Sequence, residues 1–383
     1  MGMGDKIVNR TEGLKGKATE VVGELTSKMQ PGGGSGAPSQ EDLASALISH
    51  SSWMGDIADD VLVTALSIPG THDSGCIVGP LGFAKTQNVD IPKQLHAGIR
   101  FLDIRLAHYQ DSLLVHHDVV YTGKSYKDVL EICADFLVQQ PSETILMLVR
   151  EEDRADSSLG DFAPSEAVGR LSRGELESRD NTRSFDEEFN DQTWEQVGTA
   201  PLFYNFAASP PGGQAVAAAP ALTPATTLGD VRGKIILLRG FQSDGDTGFD
   251  VSYWLDDTTT RSDEDENGNL REAVRPIYDI EDNYSNPDGK YELVITHLEK
   301  ARHGNIEDLY ITFSSAVTLQ ASDYSKEINP RLNDYLAESP EGRIGIVVMD
   351  YFEEPRELAS NVIKMNSRSK TGVGRGSSPR HDR

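Results

Sequence analysis

SIPGTHDSG, Ser67 to Gly75, and QLHAGIRFLDIRL, Gln94 to Leu106, are the stretches on which the fold turns. In the first, a short apolar run ends at a Pro-Gly turn and passes straight to a His-Asp pair, the point at which a parallel barrel presents its active-site loops. In the second, Asp103 and Arg105 stand two apart in a strand-like run, so both side chains share one face. Further on, SLLVHH offers His116 and His117. The same alternation lets only one of these two point into a shared site. Two histidines from different strands and an arginine suit a phosphate ester: one base, one acid and a fixed cation for the charged phosphorane.

Working outward, the apolar runs VLVTALSI, RFLDIRL, SLLVHH, TILMLV, PLFYNF, KIILLR, DLYITF and GIVVMDY supply about the number of strands that a closed (β/α)8 barrel needs. SYKDVLEICADFLVQQ, with Val129, Ile132, Cys133, Phe136 and Leu137 at helical spacing, predicts a crossover helix between two of them. Cys133 then lies on the packing face as a buried thiol. The fold class is α/β, with a barrel spanning residues 41–366. Residues 1–30 form a short helical appendage that resembles CsbD-like stress-response segments, residues 31–40 a Gly/Ser/Pro linker, and residues 367–383 a basic disordered tail.

Composition removes several function classes. Lys and Arg number 36 against 61 Asp and Glu, a net charge of -25, which excludes a nucleic-acid binder working through a basic surface. The two cysteines, Cys76 and Cys133, rule out a disulfide framework and leave at most one bridge. No membrane span and no secretory leader is visible, so the expectation is a soluble protein, cytoplasmic or peripheral at a membrane, and a monomer. DEDENGN places Asp263, Asp265, Asn267 and Gly268 as in an EF-hand loop, but Val274 stands where the bidentate Glu is required, so it reads as a solvated acidic loop. His96 and His108 lack a catalytic context and read as helix or surface residues. Trp254 in SYWLDD is a candidate for the mouth of the site, with a core position as its default.

Taken in order, SIPGTHDSG, QLHAGIRFLDIRL, VHHDVVYTGKSYKDVLEICADFL, PSETILMLVREED, GKIILLR and RIGIVVMDY resemble the X domain of bacterial and fungal phosphatidylinositol-specific phospholipase C, over roughly residues 55–365. The resemblance implies a distorted TIM (β/α)8 barrel that cleaves phosphatidylinositol by its own inositol 2-hydroxyl, giving diacylglycerol and inositol 1,2-cyclic phosphate. It further implies His72 as general base with Asp350 behind it, His117 as general acid with Asp73 beside it, and Arg105 as phosphate clamp held by Asp103. Arg150 matches a basic residue near the inositol, and Asp282 and Tyr284 match a carboxylate and an aromatic at the inositol ring. After GKIILLR the family has a second inositol-binding arginine, whereas this chain has Arg239 followed by Gly240. Either Arg239 serves or the contact is absent. Because Arg105 supplies the positive charge where the calcium-dependent branch has a metal-ligating carboxylate, no metal or other cofactor is expected. The partner is phosphatidylinositol in membranes or micelles, met by peripheral contact. The rival readings are another phosphodiesterase of the same superfamily and a non-catalytic inositol-lipid-binding protein.

Overall fold

A computed structural model describes residues 49–77, 85–117, 120–152, 181–197, 202–206, 220–243, 247–254, 257–265, 268–272, 275–316 and 321–366. The N-terminal appendage, the linker and the basic tail lie outside the described residues.

Eleven strands form one sheet: β1 (Ile68–Thr71), β2 (Phe101–Tyr109), β3 (Ser112–His117), β4 (Val120–Ser125), β5 (Ile145–Glu151), β6 (Ile235–Arg239), β7 (Phe249–Asp250), β8 (Thr259–Arg261), β9 (Tyr278–Glu281), β10 (Leu309–Phe313) and β11 (Ile346–Met349). Along the sheet the parallel strands run β7-β6-β5-β2-β1-β11-β10-β9. That is the chain order of a (β/α)8 barrel cut once, between β7 and β9. β8 lies antiparallel on the outer edge of β9. Across the cut, Phe249 of β7 meets Tyr278 of β9 with ring centroids 6.2 Å apart, so side chains bridge a seam where no ladder runs among the described residues.

Why the sheet curls is legible in its two faces. One apolar cluster takes Ile68, Phe101, Leu146, Leu148, Ile236, Leu238, Ile280, Leu309, Ile311, Phe313, Ile346 and Val348, alternate residues facing inward. The intervening residues, among them Leu102, Ile104, Ile145, Met147, Val149, Ile235, Leu237, Val347 and Met349, pack outward in a second cluster with the helices. Strands apolar on both faces are what a sheet covered by helices requires.

Seven helices are described: α1 (Ile91–His96), α2 (Tyr126–Gln139), α3 (Phe185–Val197), α4 (Leu228–Val231), α5 (Pro287–His303), α6 (Ala321–Glu338) and α7 (Leu358–Lys364). The predicted crossover helix is α2, opened by a capping box of Ser125 and Asp128 and burying Tyr126, Val129, Leu130, Cys133, Phe136 and Leu137. Cys76 and Cys133 are both free and buried. None of the described helices is long and apolar enough to cross a membrane.

One expected strand is cut short, and two others, SLLVHH as the antiparallel β3 and PLFYNF, lie off the barrel path. In VLVTALSI only Ile68 reaches β1, because Val63–Ala65 turns as a 3-10 helix. PLFYNF contributes a single parallel bridge, Phe203 to Ile235. The barrel instead takes β7 and β9. In β9 the outward Asp279 and Glu281 interrupt the apolar run, and they are tolerated because His297, Lys300 and Arg261 neutralise Asp279 while Lys290 faces Glu281. His108 corrects the reading as a helix or surface residue: it sits on β2, buried, with its ring against Phe185 and Asp111 3.8 Å away.

At the base of the barrel, Arg100 is fully buried, paired with Glu143 at 2.8 Å and donating to the carbonyls of Leu95, Ile99 and Ser51. Removing the counter-charge leaves a cation in a place it cannot leave. Glu143→Gln is expected to destabilise the protein by about 3–5 kcal/mol, read as a lowered urea midpoint; an unchanged midpoint would show that water reaches Arg100.

Candidate functional site

The inward register that packs the core continues, at the carboxyl ends of the strands, into polar residues. Ile68 and Gly70 are followed by His72, Phe101 by Asp103 and Arg105, Leu146 and Leu148 by Arg150, Ile280 by Asp282, and Val348 by Asp350. The period of two thus delivers six charged or titratable side chains into one bowl. His117 arrives otherwise: β2 overshoots the barrel and β3 returns antiparallel along it, so the last residue of β3 comes back to the Asp73 carboxylate. His116, one residue earlier, turns away and packs against Tyr121.

The Asp73 carboxylate is the hub. It is buried, with Arg105 Nε 2.9 Å, His72 Nε2 3.3 Å and His117 Nε2 3.3 Å from its oxygens. Burial pushes its pKa up, but Arg105 foremost, with His117, His72 and Arg150, outweighs burial and holds it at about 2. Asp103 steadies the arrangement from below. Its Oδ2 accepts the Asp73 N–H at 3.2 Å and lies 3.3 Å from the Arg105 guanidinium. Burial opposes the Arg105 charge, yet Asp103, Asp73, Glu152 and Asp282 together raise its pKa far above the usual value.

His72 is gripped at both nitrogens. Nδ1 lies 2.8 Å from Asp350 Oδ1, and Arg105 lies 3.0 Å from Nε2. Since a guanidinium only donates, that second contact requires Nε2 to accept, which puts the ring proton on Nδ1, facing Asp350. On protonation Nε2 turns donor and its partner becomes Asp73. Burial pushes the His72 pKa down, but Asp73 and Asp350 outweigh burial and Arg105 and raise it to about 9. The rings of His72 and His117 stand edge to face with centroids 6.2 Å apart, two imidazoles on either side of one anion.

Several further residues complete the walls. Arg150 sits over the Trp254 ring, its Cζ 4.3 Å from the centroid; Trp254 is a core residue, packed on Phe313. Asp282 is buried within electrostatic reach of Arg105. The Tyr284 backbone N–H is held by Asp257 Oδ1 at 2.8 Å. Arg239 corrects the option that it serves as the second arginine: it occupies the outward register with Ile235 and Leu237. There it is spent on the carbonyls of Thr247 and Phe241 and on Asp250 at 2.9 Å. The inward position is Gly240, so the absent contact is the alternative that fits.

Sequence reading missed Gln87, whose Nε2 donates to the carbonyls of His72 and Met349, each at 2.9 Å, tying the ends of β1 and β11 that carry His72 and Asp350. A glutamine in an irregular segment gives no periodic signal. Phe313, edge-on to His72 at 6.1 Å, was findable as the last inward residue of DLYITF. His72, Asp73 and Asp103 bring ligand atoms within 4.8 Å of one another, a grouping that could gather a cation. Arg105 already lies on the same carboxylates.

Residues 62–167 match the PI-PLC X family model. The chain is 27% identical over 319 residues to a 1-phosphatidylinositol phosphodiesterase of Staphylococcus aureus (strain Newman), covering 79% of this chain and 88% of that one. A 1-phosphatidylinositol phosphodiesterase of Listeria monocytogenes is 37% identical over 112 residues, 28% of this chain and 34% of that one. A crystal structure of the S. aureus phosphatidylinositol-specific phospholipase C superposes with a TM-score of 0.65 at 25% identity, over 85% of this chain and 99% of that one. The resemblance drawn from the motifs, and the barrel it implied, are borne out.

The grip on His72 has a measurable sign. Its imidazolium is expected to lose its proton near pH 9 in an NMR titration of the ring protons, and Asp350→Asn, which removes a favouring carboxylate, should move the midpoint down. A midpoint that stays put in the variant would dissociate the shift from Asp350.

Proposed function

From its kinship with the bacterial phosphatidylinositol-specific phospholipases C, we propose that the chain cleaves the phosphodiester of phosphatidylinositol to diacylglycerol and inositol 1,2-cyclic phosphate. That makes it a phosphorus-oxygen lyase whose cyclic product is hydrolysed slowly. The observation that carries this reading is the pair of imidazoles set about one buried carboxylate, with a guanidinium 3.0 Å from the nitrogen of one of them.

The residues divide the work as follows. His72 enters the reaction in its neutral form, whose share grows as pH rises toward about 9, and an incoming phosphate then draws the Arg105 guanidinium off the Nε2 lone pair. Neutral His72 takes the inositol 2-hydroxyl proton, while Asp350 holds the Nδ1–H and favours the imidazolium that forms. The freed oxygen bonds to phosphorus, the bond from phosphorus to the diacylglycerol oxygen breaks, and His117 gives its proton to that oxygen. Asp73, 3.3 Å from His117 Nε2, orients that imidazole, and Arg105 meets the negative charge on the phosphorane. Asp103 keeps Arg105 aimed, and Arg150, Asp282 and Tyr284 face the inositol. Positive charge comes from the guanidinium, which repels a dication from the same oxygens, so no metal takes part. The catalytic unit is the barrel of residues 41–366, acting as a monomer in peripheral contact with lipid; residues 1–30 and 367–383 are accessories.

Two experiments test this. Phosphatidylinositol micelles in excess EDTA should yield the five-membered cyclic phosphate by phosphorus NMR; a requirement for calcium or magnesium would remove Arg105 from its role, and binding without turnover would favour a lipid-headgroup sensor. His72→Ala and His117→Ala should each lower kcat by about 10²–10⁴-fold at an almost unchanged Tm. Near-normal rates in either would reassign the base or the acid.

A further inference from the structure

One inward position at the level of the site carries no side chain. On β6, Ile236 and Leu238 face the core and Gly240 follows them on the same face. Its φ is not in the left-handed region, so backbone freedom does not explain the glycine. Space does. A Cβ at residue 240 would lie 2.8 Å from Arg150 Cγ, 3.1 Å from the Val149 carbonyl oxygen and 3.4 Å from Leu148 Cδ1. The first of these atoms is near the root of the side chain and the second is backbone, so neither yields without moving Arg150.

Arg150 uses the vacated surface. It stands beside Arg105 in the β2–β5 register and crosses the face of β6 to set its guanidinium over the indole of Trp254. Trp254 is buried and fixed in turn, its ring 4.9 Å from that of Phe313, which meets His72 edge-on. A cation over a buried indole is held by the ring quadrupole at low cost in solvation, because a guanidinium is weakly hydrated.

We propose that Gly240 and Trp254 are positioning residues for Arg150, which they hold as the second cation of the headgroup site, beside the phosphate position of Arg105. This rests on the phosphatidylinositol reading. It makes residue 240 specificity-determining. At residue 240 the chain has no side chain, and the guanidinium of β5 covers both strands.

The test uses the full chain with Gly240→Ala, Trp254→Leu, Trp254→Phe, Arg150→Ala and the Gly240→Ala/Arg150→Ala double variant, each checked by Tm. In the wild type the Arg150 side-chain NMR signals should be shifted upfield by the indole ring current, and Gly240→Ala and Trp254→Leu should abolish that shift. On phosphatidylinositol micelles both should raise KM by about tenfold with kcat changed less than threefold, while Trp254→Phe, which keeps an aromatic face, should lose less. Gly240→Ala should add nothing in the Arg150→Ala background. An undiminished Gly240→Ala effect in that background, or an unmoved upfield shift in Gly240→Ala, would overturn the proposal. Loss of the shift in a protein whose wild type turns over no phosphatidylinositol would sustain the positioning and overturn the substrate instead.

Discussion

The arrangement depends on one buried anion. Taking the Asp73 carboxylate out of water costs several kcal/mol unless opposite charge stands against it, and Arg105, His72 and His117 are the groups set around it. The backbone has been bent to make this possible. Asp73 takes a left-handed φ of 42°, tolerable for a short polar side chain, and the turn is pinned by its N–H to Asp103 and its carbonyl to Thr86. Because its pKa is held at about 2, the carboxylate stays ionised wherever the protein is folded at ordinary pH. The cations around it therefore keep their directions without a ligand.

That anion sits where the inward face of the barrel changes character. Below it alternate residues are Ile, Leu, Val and Phe; at the strand ends the same register becomes His72, Asp103, Arg105, Arg150, Asp282 and Asp350. The packed core supplies a rigid, low-dielectric floor, which strengthens each ion pair above it and fixes each side chain at its root. The floor is paired with a clamp at the rim: Gln87 joins the ends of β1 and β11, and Asn329 of α6 donates to the carbonyls of Asp350 and Tyr351. A 2.8 Å contact between His72 and Asp350 follows from tying the strands that carry them.

Much of this was legible in the sequence where signals were local. SIPGTHDSG and FLDIR place His72, Asp73, Asp103 and Arg105 by turn chemistry and a period of two, and the same period separates His117 from His116. Arg239 was not legible in that way. In IILLR both faces are buried, every residue is apolar up to the arginine, and the alternation that would reveal its face is invisible. β9 failed for the opposite reason: YDIE looks half polar because its outward acids are answered by cations from α5 and β8, far along the chain. His108 likewise depends on Phe185, more than a helix away in sequence.

The charge balance now takes on a specific meaning. A chain of net charge -25 offers no long-range attraction to an anionic ester or an anionic lipid face. On the proposed reading, what draws a phosphate into the bowl must act at short range, and the cations there are countered by buried acids: Arg105 by Asp73 and Asp103, and His72 by Asp350 and Asp73. The free site is therefore close to internally neutral. On that reading, a phosphate would gain affinity by exchanging with these carboxylates for donors already in place, so selectivity would rest on geometry and not on overall charge. Such exchange in a buried site is screened little by salt, in contrast to surface steering. An acidic body and a cation-lined site are thus compatible, because each acts over a different distance.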